Sequence, residues 1–301
     1  TQPCSSAASD VYKRQPDLVY CWSPGFASHG PDANSPAYDD IIQARSGMAA
    51  LNADADGAPQ FVRSVLCDKV VGLHLAMSVS AALVHRERTG EGQSIEVPML
   101  ETMAGFILAE HLAGRTMTPS QGDIGYQRLM SNHRRRGETA DGNMASMAYS
   151  TNQWIRFLEL VGETSLAREA WVSTGAERSN RSDELYELIA LVAVRRTTAQ
   201  WLEELGRIDV PCAVVNELSQ VLADPQLSKT GLLGTFDNHD VGDLHYLKPA
   251  FLSDEGIGAK PRRAPHLGEH SRDILGQLGL TDSEIQRLID QRVIGEHRAD
   301  C

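Results

Sequence analysis

The sequence contains no GxxxxGK, no HExxH, no GxSxG and no complete GxGxxG. A phosphate-binding P-loop, a zinc-protease helix, a hydrolase nucleophile elbow and a dinucleotide fingerprint are therefore all missing. The nearest approach, Gly256-Ile257-Gly258, lacks its third glycine and follows no clear strand. Close cysteine pairs are missing too. Cys4, Cys21, Cys67, Cys212 and Cys301 are odd in number and widely scattered, so neither a disulfide framework nor a metal site is expected. Basic charge is scarce: 28 Lys+Arg stand against 40 Asp+Glu, a net charge of −12. That balance argues against non-specific binding to nucleic acid or to anionic membranes. The longest apolar stretch, residues 185–194, is broken by Tyr186 and Glu187 and is far shorter than the ~20 residues of a membrane span. No charged-then-apolar leader opens the chain, so a reducing cytoplasm is the expected location.

A chain of 301 residues suggests about two domains at ~150 residues each. Residues 1–15 are small, polar and aperiodic, and read as a disordered or non-native leader. The run LVYCW at 18–22, closed by Ser23-Pro24-Gly25, reads as a strand entering a loop. Ser35-Pro36 reads as an N-cap and first helical residue, with Asp39 and Asp40 in the first turn and a stop near Gly47. After Asp68 come two apolar stripes, Val70/Leu73/Met77/Ala81/Val84 and Val71/Leu75/Val79/Ala82, which predict a helix buried on most sides and ending at Gly90. Ser94–Val97 reads as a strand and residues 101–113 as a helix, so the order strand, helix, strand, helix predicts an α/β sheet domain. Further helices are expected over 153–161, 183–194 and 199–205, with strands at 213–215, 232–236 and 244–247. Thr281 with Glu284 forms a capping box in the tail.

Cys67-Asp68-Lys69 holds the most suggestive acid. Aspartate just before a buried helix is first of all an N-cap, worth ~1 kcal/mol. Such a carboxylate is also held in one orientation by helix N–H groups, its charge is favoured by the helix dipole, and it can serve as a nucleophile. Spacing alone does not choose between the two readings. His74 and His85, on the same helix, read as satisfied or surface histidines. Arg134-Arg135-Arg136 has the forks that suit phosphate oxygens, but reads first as a solvated run.

Six segments decide the matter: PDLVYCWSPGFASHGP (16–31), PAYDDIIQARSG (36–47), CDKVVGLHLAMSVSAALVHRERTGEGQSIEVPMLE (67–101), TADGNMAS (139–146), DVPCAVVNEL (209–218) and RAPHLGEHSRDIL (263–275). Together they resemble family III CoA-transferases, the group that includes formyl-CoA transferase, carnitine CoA-transferase and α-methylacyl-CoA racemase. The resemblance implies a Rossmann-like large domain, a small α+β domain and an interlocked homodimer. On that pattern 16–115 and 262–297 belong to the large domain, 137–250 to the small one, and 116–136 and 251–261 are linkers. It further implies that about a quarter of a full enzyme would precede Leu18, so that this chain is N-terminally truncated. An inactive fragment is then one expected outcome.

The resemblance makes Asp68 the nucleophile, passing through an aspartyl anhydride and an aspartyl-CoA thioester. It places Ala37 and Tyr38 along CoA and Met99 in the acyl pocket, although the same residues could be plain packing positions. The expected partners are an acyl-CoA thioester and a small carboxylic acid, with coenzyme A as substrate rather than as a resident cofactor. An acyl-CoA racemase or epimerase is the alternative. Its histidine position is occupied here by Tyr38 and its acidic position by Thr151, neither suited to two-sided proton transfer near neutral pH. Only separated glycines occupy 117–137, where formyl-CoA transferase has consecutive ones. This shifts the expected donor toward a dicarboxylic or branched acid.

Overall fold

In the computed structural model, residues 15–238, 241–249 and 262–297 are described. All of the 1–15 leader but its last residue, and the linker at 251–261, lie outside them. The chain divides into two units, Thr1–Val215 and Asn216–Cys301.

In the first unit, β1 (Val19–Trp22) pairs in parallel with β2 (Gln93–Glu96), from Val19 opposite Gln93 to Trp22 opposite Glu96. A parallel pair needs a long crossover. Here it is supplied by α1 (Asp39–Ser46) and α2 (Leu66–Thr89), and α3 (Met99–His111) follows β2. Phe26, Ile42, Cys67, Val71, Val97, Met103 and Ile107 form the core between these elements. The α/β order expected from the sequence is therefore present.

Two local expectations are corrected. Helix α1 begins at Asp39 with Tyr38 at the cap position, three residues beyond the Ser35-Pro36 start that the sequence suggested. The reason is that Asp39 is buried and already engaged by neighbouring donors, which fixes the first turn there. Helix α2 is not buried on most sides. Cys67, Val71 and Ala82 face the core, but Leu73 and Met77 are 72% and 62% exposed and Val84 is exposed as well. Of the first stripe only Val70 packs against the core, whereas Val71 and Leu75 of the second do. Over its most apolar stretch α2 has a mean hydropathy of 1.4 and is long and apolar enough to cross a membrane by those measures alone, which the continuous-run criterion overlooked. Its Cys67 and Val71 pack with Phe26, Ile42, Val97, Met103 and Ile107.

A second core in the same unit surrounds Met144, Trp154, Phe157, Leu185, Trp201 and Leu205. One layer is an antiparallel sheet of β3 (Gly137–Glu138), β4 (Asn143–Ser146) and β5 (Cys212–Val214). The other consists of α4 (Thr151–Leu160), α5 (Gly175–Asn180), α6 (Ser182–Ala193) and α7 (Thr198–Arg207). Helices α4 and α7 each open with a capping box, Ser150 with Gln153 and Thr197 with Gln200. Each cap satisfies N–H groups that would otherwise be orphaned. Trp201 is fully buried, and its indole N–H donates to the Ala193 carbonyl at 2.7 Å.

The second unit contains the antiparallel pair β6 (Leu233–Phe236) and β7 (Leu244–Leu247), then α8 (Ser271–Gln277) and α9 (Asp282–Asp290). The capping box of Thr281 and Glu284 is formed as expected. Arg263 grips the Glu269 carboxylate with both arms at 2.8 Å, and the His266 N–H adds a third bond at 2.7 Å.

Candidate active site

Strands β1 and β2 run parallel, so their carboxyl ends lie at one edge of the pair. In open α/β sheets that edge is where ligands bind. The loop leaving β1 is fastened to the end of β2: Ser23 Oγ donates to the Val97 carbonyl at 2.8 Å, and the Ser28 N–H and hydroxyl donate to the two Glu96 carboxylate oxygens at 2.5 and 2.6 Å. Met99 enters through the same loop, since its N–H donates to the Pro24 carbonyl at 2.9 Å and the Leu100 N–H donates to the Gly25 carbonyl at 3.1 Å. Ala37 closes on that turn from the other side. A Cβ added to Gly25 would lie 2.4 Å from the Ala37 Cβ, so only glycine permits this approach. Ala37 and Met99 are both half-buried against the same core.

Tyr38 follows Ala37 and is 81% exposed. Its ring does not pack into the core of the described residues. Next comes Asp39. One of its carboxylate oxygens accepts the Asp68 N–H at 3.1 Å, and the other accepts Gln43 Nε2 at 2.5 Å. Gln43 is completely buried, and its Oε1 accepts the Val62 N–H at 2.8 Å, tying down the strand of chain that leads into α2. Asp68 is thus bonded through its N–H to Asp39, the residue after Tyr38, while the start of α3 is bonded to the turn on which Ala37 packs. The four residues that the resemblance picked out lie at or beside the starts of α1, α2 and α3.

Asp68 is not the N-cap of α2. The helix begins at Leu66, which places Asp68 in its first turn, and no side chain caps the helix. Its carboxylate is exposed and has no hydrogen-bond or ion-pair partner among the described residues. The helix N-terminus favours negative charge at that position, so the group is available to attack an incoming electrophile. Cys67 beside it is not. Burial first, then the charges of Asp39, Asp68 and Asp40, push its thiol up to about 11. Little of it is therefore thiolate at neutral pH, and a buried thiol is a poor nucleophile.

The sequence reading missed Asp39 as the positioning carboxylate and Gln43 as its buried support. An Asp and a Gln four residues apart were the available signal, but both types normally face water.

Other candidates fall away from the cluster. His74 Nδ1 lies 2.9 Å from the Val70 carbonyl oxygen, and His85 is exposed. Arg134, Arg135 and Arg136 are exposed beside Tyr186 and Ile189, and Arg136 donates to Asn143 Oδ1 at 2.7 Å. Thr151 opens α4, where its hydroxyl donates to the Ser173 carbonyl at 3.1 Å and accepts from Arg178 at 3.0 Å. No group of three or more His, Cys, Asp or Glu among the described residues could hold a metal ion.

Fold and site define an α/β protein with a helix-start carboxylate, unpaired among the described residues, on the crossover between two parallel strands. The chain belongs to CoA-transferase family III, whose family model matches residues 6–271. It is 24% identical over 270 residues to a succinate–glutarate CoA-transferase of Agrobacterium fabrum, covering 87% of this chain and 66% of that protein. It is also 25% identical over 311 residues to a formyl-CoA:oxalate CoA-transferase of Bradyrhizobium sp., covering 95% and 72%. The chain thus spans about two thirds of the length of such curated relatives. Among solved structures, a CAIB/BAIF family protein from Brucella suis superposes with a TM-score of 0.68 at 25% identity, covering 90% of this chain and 70% of that one. A Mycobacterium tuberculosis protein gives a TM-score of 0.73 at 22% identity, covering 90% and 74%, and shares the fold.

Proposed function

We propose that this protein moves CoA from an acyl-CoA thioester to a free carboxylic acid, with Asp68 as the covalent nucleophile. The observation that carries the reading is the Asp68 carboxylate on the first turn of α2, exposed and without a partner among the described residues; Ala37, Tyr38 and Met99 at the starts of α1 and α3 belong to the same reading. Membership of the family and the names of the relatives supply the substrate class: CoA thioesters exchanged between acids.

An Asp68 oxygen attacks the thioester carbonyl, the carbon–sulfur bond breaks, and CoA thiolate leaves a mixed anhydride. The thiolate then attacks the Asp68 carbonyl carbon. The donor acid departs as its carboxylate, leaving an aspartyl-CoA thioester. An acceptor carboxylate attacks that thioester and regenerates anhydride and thiolate. The thiolate finally takes the acceptor's acyl carbon and frees Asp68. No net proton moves, so the site needs no general base, and one exchange is split into activated steps. Tyr38 and Ala37 would lie along the thioester, and Met99 would face the acyl group.

Relatives named for glutarate and succinate favour a dicarboxylic acid as acceptor. A Rossmann-like large domain and an interlocked homodimer belong to the same reading. The parallel β1–β2 crossover supports the first, and the exposed Leu73 and Met77 face of α2 fits the second. The test is transfer activity of the protein expressed from its gene, with succinyl-CoA against a panel of free acids. Asp68→Asn is expected to lower turnover about 10³-fold or more. Exchange of the donor's α-proton in deuterated water without CoA transfer would replace this reading with epimerisation.

A further inference from the structure

A cavity of about 230 Å³ opens in the second core, with Tyr126, Arg128, Tyr149, Trp154, Arg178 and Tyr186 in its walls. It is smaller than the ~300–1,000 Å³ that drug-sized ligands occupy, so it has room for a compact molecule and not for a nucleotide. The lining contains two guanidinium groups and no carboxylate, in a chain whose acidic residues outnumber its basic ones by 40 to 28.

The two arginines are held differently. Arg178 is built into the wall, with Nη1 donating to the Val172 carbonyl at 2.5 Å and to Thr151 Oγ1 at 3.0 Å, and Nη2 to the Tyr149 carbonyl at 3.4 Å. Those acceptors are neutral, so its charge is not cancelled. Arg128 lies over the rings of Tyr126 and Tyr149, 5.6 and 5.4 Å from their centroids; its Nη1 donates to the Met147 sulfur at 3.5 Å, and the guanidinium also interacts with the Tyr126 hydroxyl. Its Nε–H is buried and has no hydrogen-bond partner. Neither guanidinium has a carboxylate partner among the described residues. A half-buried cation with no counterion is poorly satisfied as it stands, and an anion in the cavity beside it would supply a charge-assisted partner. The rest of the wall is mixed: Ala148, Trp154 and Leu185 are apolar, while Ser179 and Ser182 add hydroxyls beside the tyrosines.

We propose that this cavity binds a compact organic carboxylate, its anionic end at Arg128 and its apolar body against Trp154 and Leu185. Bare phosphate would satisfy the cation but leave the apolar wall uncovered. The site shares no residue with the Asp68 cluster, so it stands whether or not Asp68 is a nucleophile.

Calorimetric titration of the protein with benzoate, neutral benzamide and inorganic phosphate tests it. Benzoate is expected to bind saturably, with benzamide and phosphate each about tenfold weaker or worse. Arg128→Gln should weaken benzoate about tenfold, and Asp68→Asn should leave it unchanged. Equal binding of benzoate and benzamide, or tighter binding of phosphate, overturns the proposal. So does absence of saturable binding, or loss of benzoate binding in Asp68→Asn. The three-ligand comparison is repeated with saturating CoA to occupy the Asp68 site; unchanged benzoate binding then supports the cavity even if Arg128→Gln fails to fold, and its loss overturns the proposal.

Discussion

Asp39 is the joint on which the Asp68 geometry rests, and its removal has a calculable effect. The carboxylate is buried and accepts two hydrogen bonds, from the Asp68 N–H at 3.1 Å and from Gln43 Nε2 at 2.5 Å. Bonds to a charged group contribute about 1.5–3 kcal/mol each. Asp40 and Asp68 stand close by as like charges, so relief of repulsion offsets part of the loss. Asp39→Ala is therefore expected to lower stability by about 2–4 kcal/mol. Asp39→Asn keeps an oxygen for the Asp68 N–H but turns an amide donor toward Gln43 Nε2. Gln43 cannot simply flip its amide, because its Oε1 already accepts the Val62 N–H at 2.8 Å. The expected loss there is about 1–2 kcal/mol. Urea unfolding with an unchanged m-value measures both, and Asp39→Ala should also lower transfer activity without changing Asp68 itself. If Asp39→Ala unfolds within about 0.5 kcal/mol of the parent, the bonds do not hold the helix starts together and the positioning argument is wrong.

Glycine substitutions separate close approach from propensity. Gly25→Ala, whose new Cβ would meet Ala37 at 2.4 Å, should destabilise by about 1–3 kcal/mol. Gly72→Ala on α2, where nothing lies within 4 Å, should stabilise by about 0.5–1 kcal/mol; thermal melts of the two should move in opposite directions. The Cys67 thiol holds its proton more tightly in the folded chain, up to about 11 against an ordinary 9.0. Its contribution to stability is thus complete below the unfolded value and is lost as pH climbs through the folded one. Peptide-mapped alkylation at pH 8 should find Cys67 protected, and rapid labelling in the folded state would refute its placement. Glu269 is held down to about 2, first by the Arg263 fork and then by the His266 N–H. Its contribution is present above the ordinary carboxylate range and fades only as pH falls toward that value. Arg263→Gln should raise the apparent Glu269 pKa in a carboxylate NMR titration.

Regular elements were legible where one periodicity dominated. The LVYCW strand, the helix from 66 to 89 and the helices at 151–160, 182–193 and 198–207 follow from apolar spacing and caps. The small strands β3 and β4 were not, because two to four residues of mixed polarity around Asp141-Gly142 carry no pattern. Two stripes on α2 implied two buried faces, but stripes report what can be buried and not what is present to bury it. Asp68 itself was found by resemblance. Its free carboxylate could not be read from Cys67-Asp68-Lys69, since whether an acid at a helix start caps or merely sits in the first turn depends on where the helix begins. That start is set by the bond from the Asp68 N–H to Asp39, twenty-nine residues earlier. Buried polar supports such as Gln43 look like surface residues until their partners are seen.

The most direct test of the central claim is to catch the intermediate. The protein is incubated with an acyl-CoA donor alone, quenched with hydroxylamine, digested and mapped by mass spectrometry. A hydroxamate on the peptide containing Asp68, absent without donor and absent in Asp68→Asn, is the predicted result. Turnover with no modification of Asp68, or with the hydroxamate on another carboxylate, would contradict it.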